Sequence, residues 1–273
     1  MYQDYSVLMS VYIKENPEYL RQSIQSMMDQ TVPTNDFVLV CDGPLTTELN
    51  QIIAEFENSY ADIFHVIRLE KNQGLGNALN FGLKACKNEL VARMDSDDIA
   101  QPNRCQLQLQ LFKKDTELVI CSGNIAEFEK NPDIIKSIRT LPVTHQEILT
   151  FAKRRNPMNH MAVMYMKSKV EAVGGYIEIN LAEDYYLWVR MLNQNYKAGN
   201  IDKILVKARI GNGMYQRRGG VNYAKNIYSL EKRFLDLGFI SYKEFLSNCI
   251  IRIIASLVPA KIREQLYLKK LRG

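Results

Sequence analysis

The chain reads as an α/β protein: a mostly parallel central sheet with helices on both faces, followed by a helical C-terminal extension. Three observations predict this. Apolar, β-rich runs alternate with stretches of helical spacing through residues 5–121, the rhythm of βα units on a parallel sheet. Residues 222–273 keep helical spacing and add no strand-like run. Apolar residues make up 47% and charged residues 24% of the 273, which excludes a disordered tail, a collagen-like fibre and a multi-span membrane protein.

The elements follow in order. Tyr5–Tyr12 is a buried strand, and Pro17 opens a helix to Gln30 with Leu20, Ile24, Met27 and Met28 on one face. Phe37–Cys41, Ile63–Leu69, Leu90–Met94 and Leu118–Cys121 read as further strands. Leu45–Asn58, Leu75–Lys87 and Pro102–Lys113 read as the helices between them. Beyond residue 121 the rhythm loosens: a helix at His145–Lys153, a strand at Ala162–Met166, a short helix to Val173, a turn at Gly174-Gly175, a helix at Ala182–Asn193 and a strand at Ile204–Ile210. Glycines at 211, 213, 219 and 220 bracket a loop carrying Arg217 and Arg218. The expected division is 1–221 for the α/β domain and 222–273 for the extension.

Charge divides at the same place. Residues 222–273 hold ten Lys and Arg against four Asp and Glu, whereas residues 1–221 are nearly balanced. A basic tail behind a neutral body points to an anionic membrane surface rather than to nucleic acid. Residues 250–258 are too short and too charged to span a bilayer. Residues 260–272 mix Ile262, Leu266, Leu268 and Leu271 with five Lys and Arg, the pattern of an interfacial helix; packing on the body or a homodimer surface is the other reading. Five scattered cysteines with no C-x-x-C pair indicate reduced thiols and a cytosolic setting. Nothing at the N-terminus reads as a signal peptide.

Chemistry concentrates just after the strands, where open α/β sheets bind ligands. Met94-Asp95-Ser96-Asp97-Asp98 sets three carboxylates within four residues after an apolar strand. Such a cluster needs a cation nearby, and a D-x-D there can offer oxygens to Mg²⁺ or Mn²⁺ that also bind substrate phosphates. A helix cap accounts for one or two of these acids, not three. Asp42, before Gly43-Pro44, reads either as a turn aspartate or as an acceptor for the N3–H of a uracil. Asn72-Gln73-Gly74-Leu75-Gly76 lacks the third glycine of the dinucleotide fingerprint, so its glycines read as letting backbone approach a nucleotide. Glu183-Asp184 opens a helix, where a carboxylate reads as a cap or, held ionised by the helix dipole, as a general base.

As an ordered set, these pieces resemble family 2 glycosyltransferases with the GT-A fold, of the bacterial capsule, O-antigen and amylovoran type. The residues that carry the resemblance are Ser6–Tyr12 with Asn16-Pro17 and Leu20; Asp42-Gly43; Asn72-x-Gly74; residues 94–98; Val173-Gly174-Gly175-Tyr176; and Glu183-Asp184-x-x-Leu187. They span about residues 4–220.

The resemblance implies an inverting, metal-dependent transfer of one sugar from a UDP-linked donor to a glycan hydroxyl, with Mn²⁺ or Mg²⁺ as cofactor. It places Asp42 on the uracil, and Ser10, Val11, Tyr12, Asn72 and Gly74 along the nucleoside. Asp95 falls on ribose or uridine and Asp97 on the metal. Asp184 becomes the base, with Glu183 touching the acceptor or supporting it. Arg217 and Arg218 fall on the leaving diphosphate. His160 stands near the donor sugar, though a partnered core histidine fits it equally. A lipid-linked acceptor would suit a peripheral site on the inner membrane face.

Departures from the pattern are Ile13 after Tyr12 and Cys41 in place of a first acid before Asp42. Gln216-Arg217-Arg218-Gly219 stands where processive synthases carry Gln-x-x-Arg-Trp, so one transfer per encounter is expected. A sugar-phosphate nucleotidyltransferase or a non-catalytic sugar-nucleotide or polysaccharide-binding module are the alternative readings.

Overall fold

The computed structural model describes residues 3–179, 182–211 and 220–257. Nine strands form one sheet in the order β3-β2-β1-β4-β8-β6-β9-β5, with β7 added onto β6. The parallel half holds β1 (Tyr5–Val11), β2 (Asp36–Cys41), β3 (Phe64–Arg68) and β4 (Leu90–Asp95). Between them run α1 (Pro17–Met28), α2 (Thr47–Ser59) and α3 (Leu75–Ala85). The mixed half adds β5 (Ile99–Ala100), β6 (Leu118–Phe128), β7 (Ile135–Arg139), β8 (Met164–Met166) and β9 (Lys197–Arg209). Here β8 runs antiparallel to both β4 and β6, and β6 runs parallel to β9. Helices α4 (Arg104–Lys114), α5 (His145–Ala152), α6 (Lys167–Ala172) and α7 (Glu183–Asn193) complete the body.

Local chemistry explains one of the sequence motifs. Asn16 is the N-cap of α1: its side chain accepts from the Glu18 and Tyr19 N–H groups, and Pro17 occupies the first turn, where its missing N–H costs nothing. Leu20, Ile24 and Met27 then bury the inward face. The Asn-Pro-x-x-Leu pattern is therefore a device for starting a helix and docking it.

Two apolar cores lie on the two sheet faces. One packs β1, β2 and β4 against α1, α2 and α4; the other packs the opposite face against α3, α5, α6 and α7. A third cluster joins Tyr185, Tyr186 and Val189 of α7 to Leu230, Phe234, Phe245 and Cys249. The last four belong to α8 (Val221–Asp236) and α9 (Tyr242–Leu257), so the C-terminal helices dock on the body by one face. Helix α8 begins at Val221, and no helix among the described residues is long and apolar enough to cross a membrane. All five cysteines are buried free thiols.

The strand expected at Leu118–Cys121 continues to Phe128, and the one expected at Ile204–Ile210 begins at Lys197. The extensions carry polar residues that apolar patterning passes over. Ser122, Asn124 and Asn200 are buried, yet each is bonded: Asn200 Oδ1 accepts the Ser122 N–H at 3.0 Å, and Asn124 Nδ2 donates to Asp202 at 2.9 Å. A polar group with its partner in place can sit in a core strand. Only Met164–Met166 of the strand expected at Ala162–Met166 pairs; residues 160–162 form a 3-10 turn.

Candidate active site

The parallel register brings the strand ends to one edge. Ser10 lies opposite both Val40 and Asp95, and Val11 lies opposite Cys41. Ser10, Val11, Tyr12, Asp42 and Asp95, read separately from the sequence, thus share one rim, and Tyr12 there is exposed.

Asp42 is buried and binds the loop that leads into α3. Its Oδ1 accepts the Gln73 N–H at 2.7 Å, and Oδ2 accepts the Gly74 N–H at 3.1 Å and Asn72 Nδ2 at 2.9 Å. The carboxylate therefore shapes the 72–74 loop, with one acceptor position left over of about four. Gly43 and Gly74 answer different needs. A Cβ on Gly43, at φ +88, would stand 2.6 Å from the Asn72 nitrogen; Gly74, at φ +85, faces open space and needs glycine for its backbone alone. Gly43→Ala is expected to cost about 2 kcal/mol through positive-φ strain and this clash and, on the nucleotide role that the resemblance implies for this loop, to weaken UDP binding. Urea unfolding and calorimetry check both; an unchanged midpoint would remove the steric argument.

The acidic turn after β4 is crowded. Arg93, buried two residues earlier on the same face of the strand, pairs with Asp95. Ser96 donates to Glu15, which brings a fourth carboxylate to the turn. Burial, then Asp95 and Glu15, push the Asp97 carboxyl up to about 7. Asp98 is buried and lifted well above the carboxylate range by burial, Asp97 and Asp95, and accepts the Arg209 N–H at 2.7 Å. Arg209 also donates from Nε to the Asp97 carbonyl at 3.0 Å and lies over the Tyr19 ring, 3.6 Å from its centroid. It clamps the turn's backbone to the end of β9, and its charge only partly offsets the rise in the Asp97 carboxyl.

A divalent ion would relieve the mutual repulsion of the carboxylates in this turn. Among the described residues no group of three or more His, Cys, Asp and Glu is arranged to hold a metal. The protein alone offers few ligands, the situation in which substrate phosphates complete a Mg²⁺ or Mn²⁺ shell.

The second acid pair arrives from the other side. Asn80 of α3 donates to the Tyr176 carbonyl at 2.7 Å and accepts the Tyr176 N–H at 2.8 Å. Gly175, at φ +64, permits this: a Cβ there would meet Asn80 Oδ1 at 2.5 Å. Arg190 of α7 donates to the carbonyls of Val173 and Gly175. The Val-Gly-Gly-Tyr motif is thus a bracket joining α3 to α7. Gly76 in the first turn of α3 consequently packs beside Glu183, whose Cβ would lie 3.8 Å from a Cβ on Gly76.

Ala182 holds the N-cap of α7 and makes no side-chain cap bond, so neither acid stands at the cap position. Asp184 Oδ2 accepts from Asn156 Nδ2 at 2.7 Å. Burial raises the Asp184 carboxyl above its ordinary range, and burial with help from Asp184 raises Glu183. A base moved toward neutral pH is better matched to proton abstraction there.

His160 Nε2 lies 3.0 Å from the Tyr176 hydroxyl, with its ring against Tyr176 and Trp188. Burial, then Arg93, hold it well below the usual histidine range, hence neutral. The structure presents it as a partnered histidine beneath the site. Arg217 and Arg218 lie outside the described residues, as does the basic stretch at 260–272. Sequence reading passed over Glu15, Arg93, Arg209 and Asn156. Arg93 left a signal, the i, i+2 alternation that puts it on the face of Asp95; Asn156 left none.

A carboxylate turn at the rim of a parallel half-sheet, faced by an acid-led helix across the same rim, is a GT-A glycosyltransferase arrangement, and solved structures share the fold. Mannosyltransferase PcManGT from Pyrobaculum calidifontis, in complex with GDP-Man and Mn²⁺, matches with a TM-score of 0.66 at 14% identity, over 99% of this chain and 82% of that one. S. aureus TarS 1–349 in complex with UDP-GlcNAc matches with a TM-score of 0.66 at 18% identity, over 98% and 76%. The family described as Glycosyl transferase family 2 matches residues 6–171, and the chain belongs to it.

Full-length relatives agree. An uncharacterized glycosyltransferase of Haemophilus influenzae is 42% identical over 96% of this chain and 97% of its own length. The UDP-Gal:alpha-D-GlcNAc-diphosphoundecaprenol beta-1,3-galactosyltransferase of Escherichia coli is 39% identical over 98% and 96%. The amylovoran biosynthesis glycosyltransferase AmsE of Erwinia amylovora is 36% identical over 98% and 100%. Family membership displaces the nucleotidyltransferase reading.

Proposed function

We propose that the protein transfers one hexose, with inversion, from a UDP-sugar to a hydroxyl of a lipid-diphosphate-linked glycan in bacterial surface polysaccharide synthesis. The observation that carries this is that buried Arg93 serves both acid groups: it pairs with Asp95 of the acidic turn, and its charge acts on Glu183 and Asp184 at the start of α7. The E. coli relative's name supports UDP-galactose as donor and a GlcNAc-diphosphate lipid as acceptor.

Asp42 and the 72–74 loop grip the base, Ser10 to Tyr12 line the nucleoside, and Asp95, held by Arg93, reaches the ribose. Asp97 is the residue that would hold Mn²⁺ or Mg²⁺. Bound there, such an ion supplies charge neutralisation at the leaving diphosphate. Asp184 takes the acceptor's hydroxyl proton as that oxygen bonds to C1 and the C1–diphosphate bond breaks, its electron pair leaving with UDP. Single in-line displacement turns an α-linked donor into a β-linked product. Measuring UDP release from UDP-galactose with Mn²⁺ and a short-chain GlcNAc-diphosphate lipid tests the proposal. Binding of UDP-galactose with no acceptor-dependent release would favour a binding module.

The same reading places the protein on the cytoplasmic membrane face. Tyr242, Leu246, Ile250, Ile251 and Ile254 of α9 are between 41% and 64% exposed, on the side away from buried Phe245, Asn248 and Cys249. This apolar stripe lies in the segment carrying the chain's positive charge, a combination suited to an anionic lipid surface. Deleting residues 247–273 would be a poor test. Asn248 and Arg252 satisfy the buried Glu231 carboxylate, Asn248 at 2.9 Å, and their loss would strand a charge. Changing Leu246, Ile250 and Ile254 together to Ser is the cleaner experiment. Sedimentation with phosphatidylglycerol vesicles is expected to weaken on the order of 100-fold, with UDP affinity unchanged. Undiminished pelleting would exclude this face.

A further inference from the structure

Asn156 stands in the loop after α5, and both ends of its side-chain amide are engaged. Nδ2 donates to Asp184 Oδ2 at 2.7 Å, and Oδ1 accepts the Met158 N–H at 3.2 Å. Turning the amide over would set an oxygen against a carboxylate and an NH₂ against an N–H, so both contacts select one orientation. The residue's main chain is held as well. Arg139, at the end of β7, donates from Nη2 to the Asn156 carbonyl at 2.9 Å.

The following residues are pinned to the two long strands. Asn200 Nδ2 donates to the Pro157 carbonyl at 3.1 Å, and buried Asn159 donates from Nδ2 to the Gly123 carbonyl at 2.8 Å and from its N–H to Ser122 Oγ at 3.2 Å. The loop is therefore a fixed bracket on β6 and β9. Its one amide directed at the candidate active site ends on Asp184.

We propose that Asn156 is a positioning residue for sugar transfer: it holds the Asp184 carboxylate in the orientation that accepts the acceptor's proton, and Arg139 fixes Asn156 in turn. This rests on Asp184 being the base. In the step it serves, the hydroxyl proton moves to an Asp184 oxygen not held by the amide, the C1–O bond forms from the acceptor oxygen's electron pair, and the diphosphate leaves with the pair from the broken bond. A nucleophile's base oriented by a third group is a recurrent arrangement.

The surroundings of Asp184 define the sign of the effect. Burial raises its carboxyl, while the Tyr185 N–H, the Asn156 amide, Arg139 from β7 and Arg93 from β4 act in the opposite sense. Glu183 and Tyr185 on α7 and Tyr176 after α6 complete the titratable groups that sense it. An N–H donor stabilises the ionised form. Removing it moves ionisation to higher pH, by about one unit for a bond of ordinary strength to a charged group.

The test uses the full chain with Asn156→Ala, Asn156→Ser and Arg139→Gln. The acid limb of the kcat profile for UDP release from UDP-galactose and a GlcNAc-diphosphate lipid is read beside a ¹³C-carboxyl NMR titration of Asp184, which needs no substrate. Asn156→Ala is expected to raise both by about one pH unit, Asn156→Ser and Arg139→Gln by less, with UDP affinity unchanged in all three. A limb or a carboxyl titration that stays in place in folded Asn156→Ala overturns the proposal, whether or not kcat falls. Asp184→Asn separates the two levels. Normal turnover there would mean that the base is misassigned, whereas an inactive Asp184→Asn beside an unmoved limb in Asn156→Ala would remove only the positioning role.

Discussion

Asp184→Asn is expected to lower sugar transfer by about 10²–10⁴-fold, the usual worth of general-base catalysis, while UDP affinity stays nearly unchanged. Asparagine keeps the size and the acceptor oxygen of aspartate but cannot take a proton near neutral pH. A helix-capping role would predict the opposite, because asparagine caps as well as aspartate; here Ala182 occupies the cap position. The loss should therefore appear in kcat and not in donor binding. Transfer and UDP affinity measured on one folded preparation decide it, and turnover within a few-fold of the parent would leave the base unidentified.

Asp97→Ala is expected to weaken Mn²⁺-dependent UDP binding by more than about 100-fold, since losing even an outer-shell partner of a metal typically costs 10–100-fold. The same change should raise the melting temperature of the metal-free protein. Burial and the carboxylates of Asp95 and Glu15 act against an ionised Asp97, and alanine removes that repulsion. Gain of stability with loss of function is the signature of a site held under strain for its ligand. Calorimetry with UDP and Mn²⁺ and a melt in chelator check the two halves. Unchanged UDP affinity in the folded variant would remove Asp97 from metal binding.

The parallel half of the fold was legible because its strands are predominantly apolar runs and its helices carry one apolar face each. The long β6 and β9 were legible only in part. Ser122, Asn124 and Asn200 are polar and buried, and their hydrogen-bond partners lie far along the chain, where no local pattern reveals them. β7 is short and largely exposed, so it presents no apolar run at all. The site divides in the same way. Residues at or just past strand ends, such as Asp42, Asp95 and Asp97, stand out as candidates by position alone. Glu15, Arg209 and Asn156 make contacts that only the folded chain creates, and Arg93 shows itself once Asp95, two residues on along the same strand face, is read as a candidate.

The pair of hydrogen bonds between Asn80 and Tyr176 has a mechanical consequence. It ties α3, which follows the 72–74 loop, to the segment ahead of α7, so on the proposed roles the nucleotide grip and the acceptor-side acids share one joint. A change that tilts α3 would press on Glu183, which packs beside Gly76 of the same helix. On the proposed roles, donor choice and acceptor geometry are then coupled through the joint at residue 80, and loosening that joint would uncouple them.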